Sequence, residues 1–206
     1  MIGIGSDALF DGMFAALATP DDVGGSSEFH AALRLKNGFY AFESALLVRG
    51  VGDGPGSLAS WNRPDLWRSA YEGLDAGLTF FAEDIFGAQF ALDGTRVVSF
   101  DPETGERDPF ADSLEAWASR VLADYSMLTG YPLAHDWQMA HGPLALGFRL
   151  VPRIPFVLGG EFTVANLVPM RDDKAMRARA GVAVQIKGLP DGTQVEIEID
   201  GSYRFP

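Results

Sequence analysis

Between residues 78 and 113 the chain reads LTFFAED, AQFALDG, RVVSFDPETG and ERDPFADS. These are short runs rich in aromatic and β-branched residues, each closed by turn chemistry. Asp93-Gly94 is a hairpin signal, because glycine supplies the positive φ that a two-residue turn demands. In DPETG (101–105) proline presets the first corner and glycine the exit. Runs this short, joined by connections this short, pair as an antiparallel meander, since parallel pairing would need long crossovers.

Helical signals flank that block. Residues 6–18 space Leu9, Phe10, Met13, Phe14 and Leu17 at helical intervals behind Ser6 or Asp7 as a cap. Ser26 or Ser27 caps a second helix over about 28–36, which Asn37-Gly38 stops. FYAFESALLV (39–48) reads as an extended entry followed by a strand or a short helix. RGVGDGPGSLASW (49–61) is a glycine-rich loop, after which Asn62, with Pro64 behind it, opens a helix to about Tyr71. Ser113 starts a helix whose Leu114, Trp117, Val121 and Leu122, then Tyr125 and Leu128, form an apolar stripe, with Glu115 favouring its positive end. A shorter helix follows Pro132.

The last sixty residues change texture. Pro152, Pro155 and Pro169 interrupt the extended stretch 144–170, which places its strands at a sheet edge. Asp172 caps a helix that Gly188 ends. A turn at Asp191-Gly192 then leads into a strand alternating Val195, Ile197 and Ile199 with acids, so one face is wet. The expected class is therefore α+β: an antiparallel β-meander sheet packed by helices, with a C-terminal helix-strand extension. Residues 1–142 form the main domain and 143–206 an extension packed on the same body.

Composition narrows the function classes. The 206 residues carry a formal charge of -12 and no cysteine. Acidity on that scale repels nucleic-acid phosphates and attracts basic proteins. Without cysteine there are no disulfides, no thiolate nucleophile and no Cys-ligated zinc. The N-terminus lacks a basic n-region and has Asp7 and Asp11 within its apolar stretch, so neither a signal peptide nor a membrane span is expected. The expected compartment is the cytoplasm.

The candidate chemistry is sparse. GVGDGPG (50–56) approaches a dinucleotide spacing, but Asp53 and Pro55 interrupt it and no helix opens directly behind it. His135 and His141 lie six apart, on different helix faces, whereas a helical metal pair wants four; even with Asp136 nearby no metal site is expected. His30, beside Ala31 and Leu33, reads as a packed or surface histidine. No G-x-S-x-G elbow is present. Glu83 and Asp84 sit side by side, but successive strand residues face opposite ways, so the pair suits a turn better than a catalytic dyad. No cofactor is expected. From Glu83 to Glu115 nine acids face only Arg96 and Arg107, while Arg171 to Lys187 holds five bases against two acids. The acids Glu83, Asp84, Asp93, Asp101, Glu103, Glu106 and Asp108 are therefore the candidate surface for a protein partner.

FFAEDIFGAQFAL, then VVSFDPETGERDPFADSLEAWASRVL, resembles the core of the SUKH superfamily (the Smi/Knr-type domain). ADSLEAWASRVL fits its DSFxxFL-like helix with Leu114 and Trp117 in the apolar places, and LRLKNGFYAF is similar to the helix and glycine turn upstream. The likeness spans about residues 28–125. It implies an α+β domain without enzymatic activity that binds other proteins, as either an immunity protein neutralising a nuclease or deaminase toxin or an interaction adaptor. An enzyme reading would draw instead on the Gly50–Gly56 loop with Glu83, Asp84 and His135, as a hydrolase or ligand-binding site.

Overall fold

A computed structural model describes residues 36–190, 192–194 and 196–197. The helices expected over 6–18 and 28–36, with His30, and the strand expected over 195–200 fall wholly or mostly outside them. Six strands form one antiparallel sheet in sequence order: β1 (Phe39–Ala41), β2 (Leu46–Val48), β3 (Thr79–Asp84), β4 (Gln89–Asp93), β5 (Arg96–Phe100) and β6 (Arg107–Ala111). Strict neighbour pairing follows from turns of a few residues at all but one connection. Asp93 pairs with Arg96 across Gly94 and Thr95, with Gly94 at φ +63°. The β5–β6 turn closes through Asp101, whose carboxylate accepts from the Glu103 N–H at 2.7 Å.

FYAFESALLV resolves as a hairpin, β1 turning into β2. Its turn holds Phe42, Glu43 and Ser44 at φ +52°, +52° and +71°, a left-handed run costly for residues with a Cβ. Neighbours hold it in place. Gln138 donates to the Glu43 carbonyl at 2.9 Å and Arg149 to the Ser44 carbonyl at 3.2 Å. The Glu43 carboxylate also meets His135 Nδ1 at 2.8 Å.

The continuous apolar run of β3 has a direct cause: the sheet is covered on both faces. On one face Phe81, Phe90 and Val97 pack with Trp117 and Val121 of α2 (Leu114–Ala123). The cap of α2 is the expected one, Ser113 Oγ accepting from the Ala116 N–H at 3.1 Å. On the other face Phe80, Ala91 and Phe100 meet Trp61, Trp67 and Tyr71. The C-terminal helix α5 (Asp172–Ile186) completes that layer by burying Met176, Ala180 and Ala183 in it. The C-terminal segment therefore supplies part of the central core. Two short helices, α3 (Tyr125–Leu128) and α4 (Tyr131–His141), and a separate hairpin of β7 (Phe148–Pro152) with β8 (Leu167–Arg171) flank one end.

Asn62 corrects the sequence reading. It ends the one-turn helix α1 (Leu58–Trp61), and the residues after it form only a 3-10 turn at Arg68–Tyr71. Its amide is used elsewhere: Oδ1 accepts from the Phe80 N–H and Nδ2 donates to the Phe80 carbonyl, both at 2.8 Å. Asn37 grips Val51 in the same two-point way at 2.6 and 2.8 Å, and Asn166 grips Ile154 at 3.0 and 3.1 Å. The chain contains only these three asparagines, and each imitates a strand neighbour for one backbone residue.

Candidate functional site

The seven candidate acids separate into three environments. Glu83 is buried, at 1 % exposure. Its Oε1 lies 2.9 Å from Arg49 and 2.8 Å from Arg149, and Gln89 donates to its Oε2 at 2.7 Å. Burial alone would raise this carboxyl; the two guanidinium groups and Gln89 outweigh it and hold it below the usual glutamate range. Glu83 is thus the hub of an internal network and is corrected out of any partner surface. Glu103 is corrected likewise. It is 3 % exposed and accepts from the Val157 N–H at 2.9 Å.

Asp84, half-buried at the end of β3, closes the next turn. Its Oδ1 accepts from the N–H groups of Phe86 and Ala88 at 2.9 and 2.8 Å. Burial pushes its carboxyl up to about 7, against the pull of the Ala88 N–H and of Arg179. The turn reading therefore describes Asp84 and not Glu83. Asp93, Asp101, Glu106 and Asp108 are exposed. Glu106 and Asp108 lie along the β6 edge of the sheet with exposed Asp112 beyond them, Asp101 sits in the β5–β6 turn, and Asp93 stands on the β4–β5 hairpin at the other end of β5. Of the bases there, exposed Arg96 lies 4.0 Å from Asp112, Arg107 is tied to the Leu74 carbonyl and Arg120 to the Phe110 carbonyl.

The network around Glu83 joins distant parts of the chain. Arg49, just past β2, also donates to Asp172 Oδ2 at 3.1 Å and to the Gly56 carbonyl at 3.1 Å. Its guanidinium carbon lies 3.4 Å from the centre of the Trp61 ring, a cation–π stack. Trp61 Nε1 in turn donates to Gln89 Oε1 at 2.9 Å. Arg149 comes from β7 and Asp172 opens α5, so the network pins the C-terminal segment to the sheet. Burial and the nearby Glu83 charge raise the Asp172 carboxyl despite Arg49.

The grouping an enzyme reading requires is not assembled. Glu83 is saturated by its partners, Asp84 serves its turn, and His135 on α4 pairs with Glu43 of the β1–β2 turn. His141 stacks on Trp137 with ring centres 4.6 Å apart. Among the described residues no three His, Asp or Glu side chains gather as metal ligands, and no helix is long and apolar enough to cross a membrane. The glycine loop does line a cleft, with Arg49 and Asp172 at its margin. Sequence reasoning missed Arg49, Arg149 and Asp172, which lie 34, 66 and 89 residues from Glu83 and become neighbours only in the fold.

No family model matches the chain, and no curated protein matches it. Among solved structures it is similar to the crystal structure of Atu4351 from Agrobacterium tumefaciens, at 15% identity and a TM-score of 0.52, over 85% of this chain and 87% of that one. At that identity the likeness concerns the fold.

Proposed function

We propose that this chain is a non-catalytic protein-binding module whose β5–β6 margin receives a basic partner, and that the partner is a bacterial toxin domain which it neutralises in the cytoplasm. The observation that carries the reading is the exposed set of Asp101, Glu106, Asp108 and Asp112 along the β6 edge, with Asp93 on the adjoining β4–β5 hairpin. Complementary charge of this kind steers encounter and rejects like-charged partners. It also matches what a nuclease groove presents to nucleic acid, so the edge would compete for that groove. The SUKH resemblance of the same strands supports the toxin assignment.

The reading is tested by co-expressing the chain with the product of the neighbouring gene. Retention of a basic toxin domain at low salt, with loss of its toxicity, is the expected result. A neighbour that is no toxin, together with no basic protein retained, removes the immunity assignment. The second reading, an adaptor in a larger assembly, draws on the exposed Ile154, Val157 and Phe162. It predicts several stable partners that co-purify at high salt.

A further inference from the structure

A cleft of about 580 Å3 opens beside the buried network, between the Gly50–Gly56 loop, β1 and Gly147-Phe148. Its size falls within the range of small-molecule sites. It lies at the β1 edge of the sheet, whereas the acids of the proposed partner surface lie at the β6 edge. We propose that it binds a small organic oxyanion, a carboxylate or phosphate group carried on an apolar body.

The donors are in place. Arg49 lines the cleft at 1 % exposure, and its Nε is buried without a hydrogen-bond partner among the described residues. The backbone N–H groups of Gly52 and Gly56 donate to no acceptor among the described residues. Gly52 is exposed and Gly56 half-buried, so their N–H groups are open to solvent, and backbone donors of such a loop are what an incoming oxygen can engage. Phe39, Tyr40 and Phe148 line the same cleft and offer apolar contact to the rest of a ligand.

The loop is also held in shape before any ligand arrives. Asn37 grips Val51 at both backbone atoms. A Cβ on Gly38 would stand 2.5 Å from Gly50 N, and one on Gly50 would stand 2.6 Å from the Asn37 carbonyl oxygen. Glycine is required on both sides of that approach, and preorganisation of this kind lowers the cost of binding. Of the acids nearby, Asp172, which also lines the cleft, is paired with Arg49, whose charge Glu83 shares, and Asp173 is paired with Arg171, each at about 3 Å. Asp53, exposed on the loop, does not line the cleft.

The test is thermal denaturation and calorimetric titration with phenyl phosphate, phenylacetate and neutral benzyl alcohol, on the wild type and two variants. Gly54 carries the substitutions because a Cβ there meets nothing within 4 Å and its backbone is not left-handed. Saturable binding of either anion is expected, with a Tm rise of about 5 °C near a hundredfold excess over Kd. Phenyl phosphate and phenylacetate separate the two anion chemistries. Benzyl alcohol should leave Tm unchanged. Gly54→Ala should bind as the wild type, and Gly54→Glu should fold equally well yet bind the anion at least tenfold more weakly. Three results would overturn the proposal: no anion binding at ~10 mM, binding of benzyl alcohol as tight as that of the anions, or undiminished binding by Gly54→Glu.

Discussion

Asn62 and Phe80 are joined at both ends of one amide, as two strand residues would be. β2 ends at Val48, opposite Ala82, and Asn62 takes over the open side of β3 from there. Removing the amide strands a backbone donor and acceptor in a part-buried setting, worth about 1–3 kcal/mol. Asn62→Ala should lower the urea midpoint accordingly, and Asn62→Asp should cost a similar amount by losing the Nδ2 donor. An unchanged midpoint for both would mean that Phe80 finds other partners.

Glu83 is the counter-charge for two buried guanidinium groups. Glu83→Gln keeps the shape but, among the described residues, leaves Arg49 with only Asp172 as counter-charge and Arg149 with none. Breaking a buried ion cluster in this way costs about 3–5 kcal/mol, a Tm fall of about 10 °C for a chain of this size. Calorimetry checks it. A fall of under about 1 °C would mean that water or other acceptors take over the role of Glu83.

Asp84 gives a pH signature of opposite kind. Its carboxyl is raised to about 7 in the folded protein, from 3.8 in the unfolded chain. The unfolded chain therefore gives up this proton first as pH rises, and the folded state binds more protons between about pH 4 and 7. Stability from this group is fully present below about pH 4 and is lost as pH climbs through 7. Asp84→Asn keeps an oxygen for Phe86 and Ala88 but has no proton to lose. Urea midpoints from pH 4.5 to 7.5 should show the variant gaining on the wild type, by on the order of a few kcal/mol across the window. Parallel pH profiles would contradict the assignment.

The meander and α2 were legible because their signals are local. Asp93-Gly94, DPETG and Ser113 each act within four residues of themselves. Asn62 misled for the complementary reason: asparagine before a proline is a fair helix start, but its amide was committed to a strand 18 residues away. Glu83 and Asp84 look alike in sequence, yet one is neutralised by arginines just past β2 and in β7 and the other serves a turn. No local pattern distinguishes them. Glu103 was misplaced similarly, since the Val157 N–H that holds it arrives from a segment 54 residues on. The exposed acids Asp93, Asp101, Glu106 and Asp108 were the readable remainder, because hairpin ends are solvated by default.

The most direct measurement of the account is the affinity for the neighbouring toxin domain of a variant carrying Asp93→Lys, Glu106→Lys and Asp108→Lys, compared with the wild type. Asp101 is left alone because its carboxylate shapes its turn, and Asp136→Lys on the exposed face of α4 serves as the control. Binding should weaken by about a hundredfold or more, chiefly in the association rate, with the difference shrinking as salt rises. Equal affinity for the triple variant, or an equal loss in the control, would show that the β5–β6 margin is not where the partner docks.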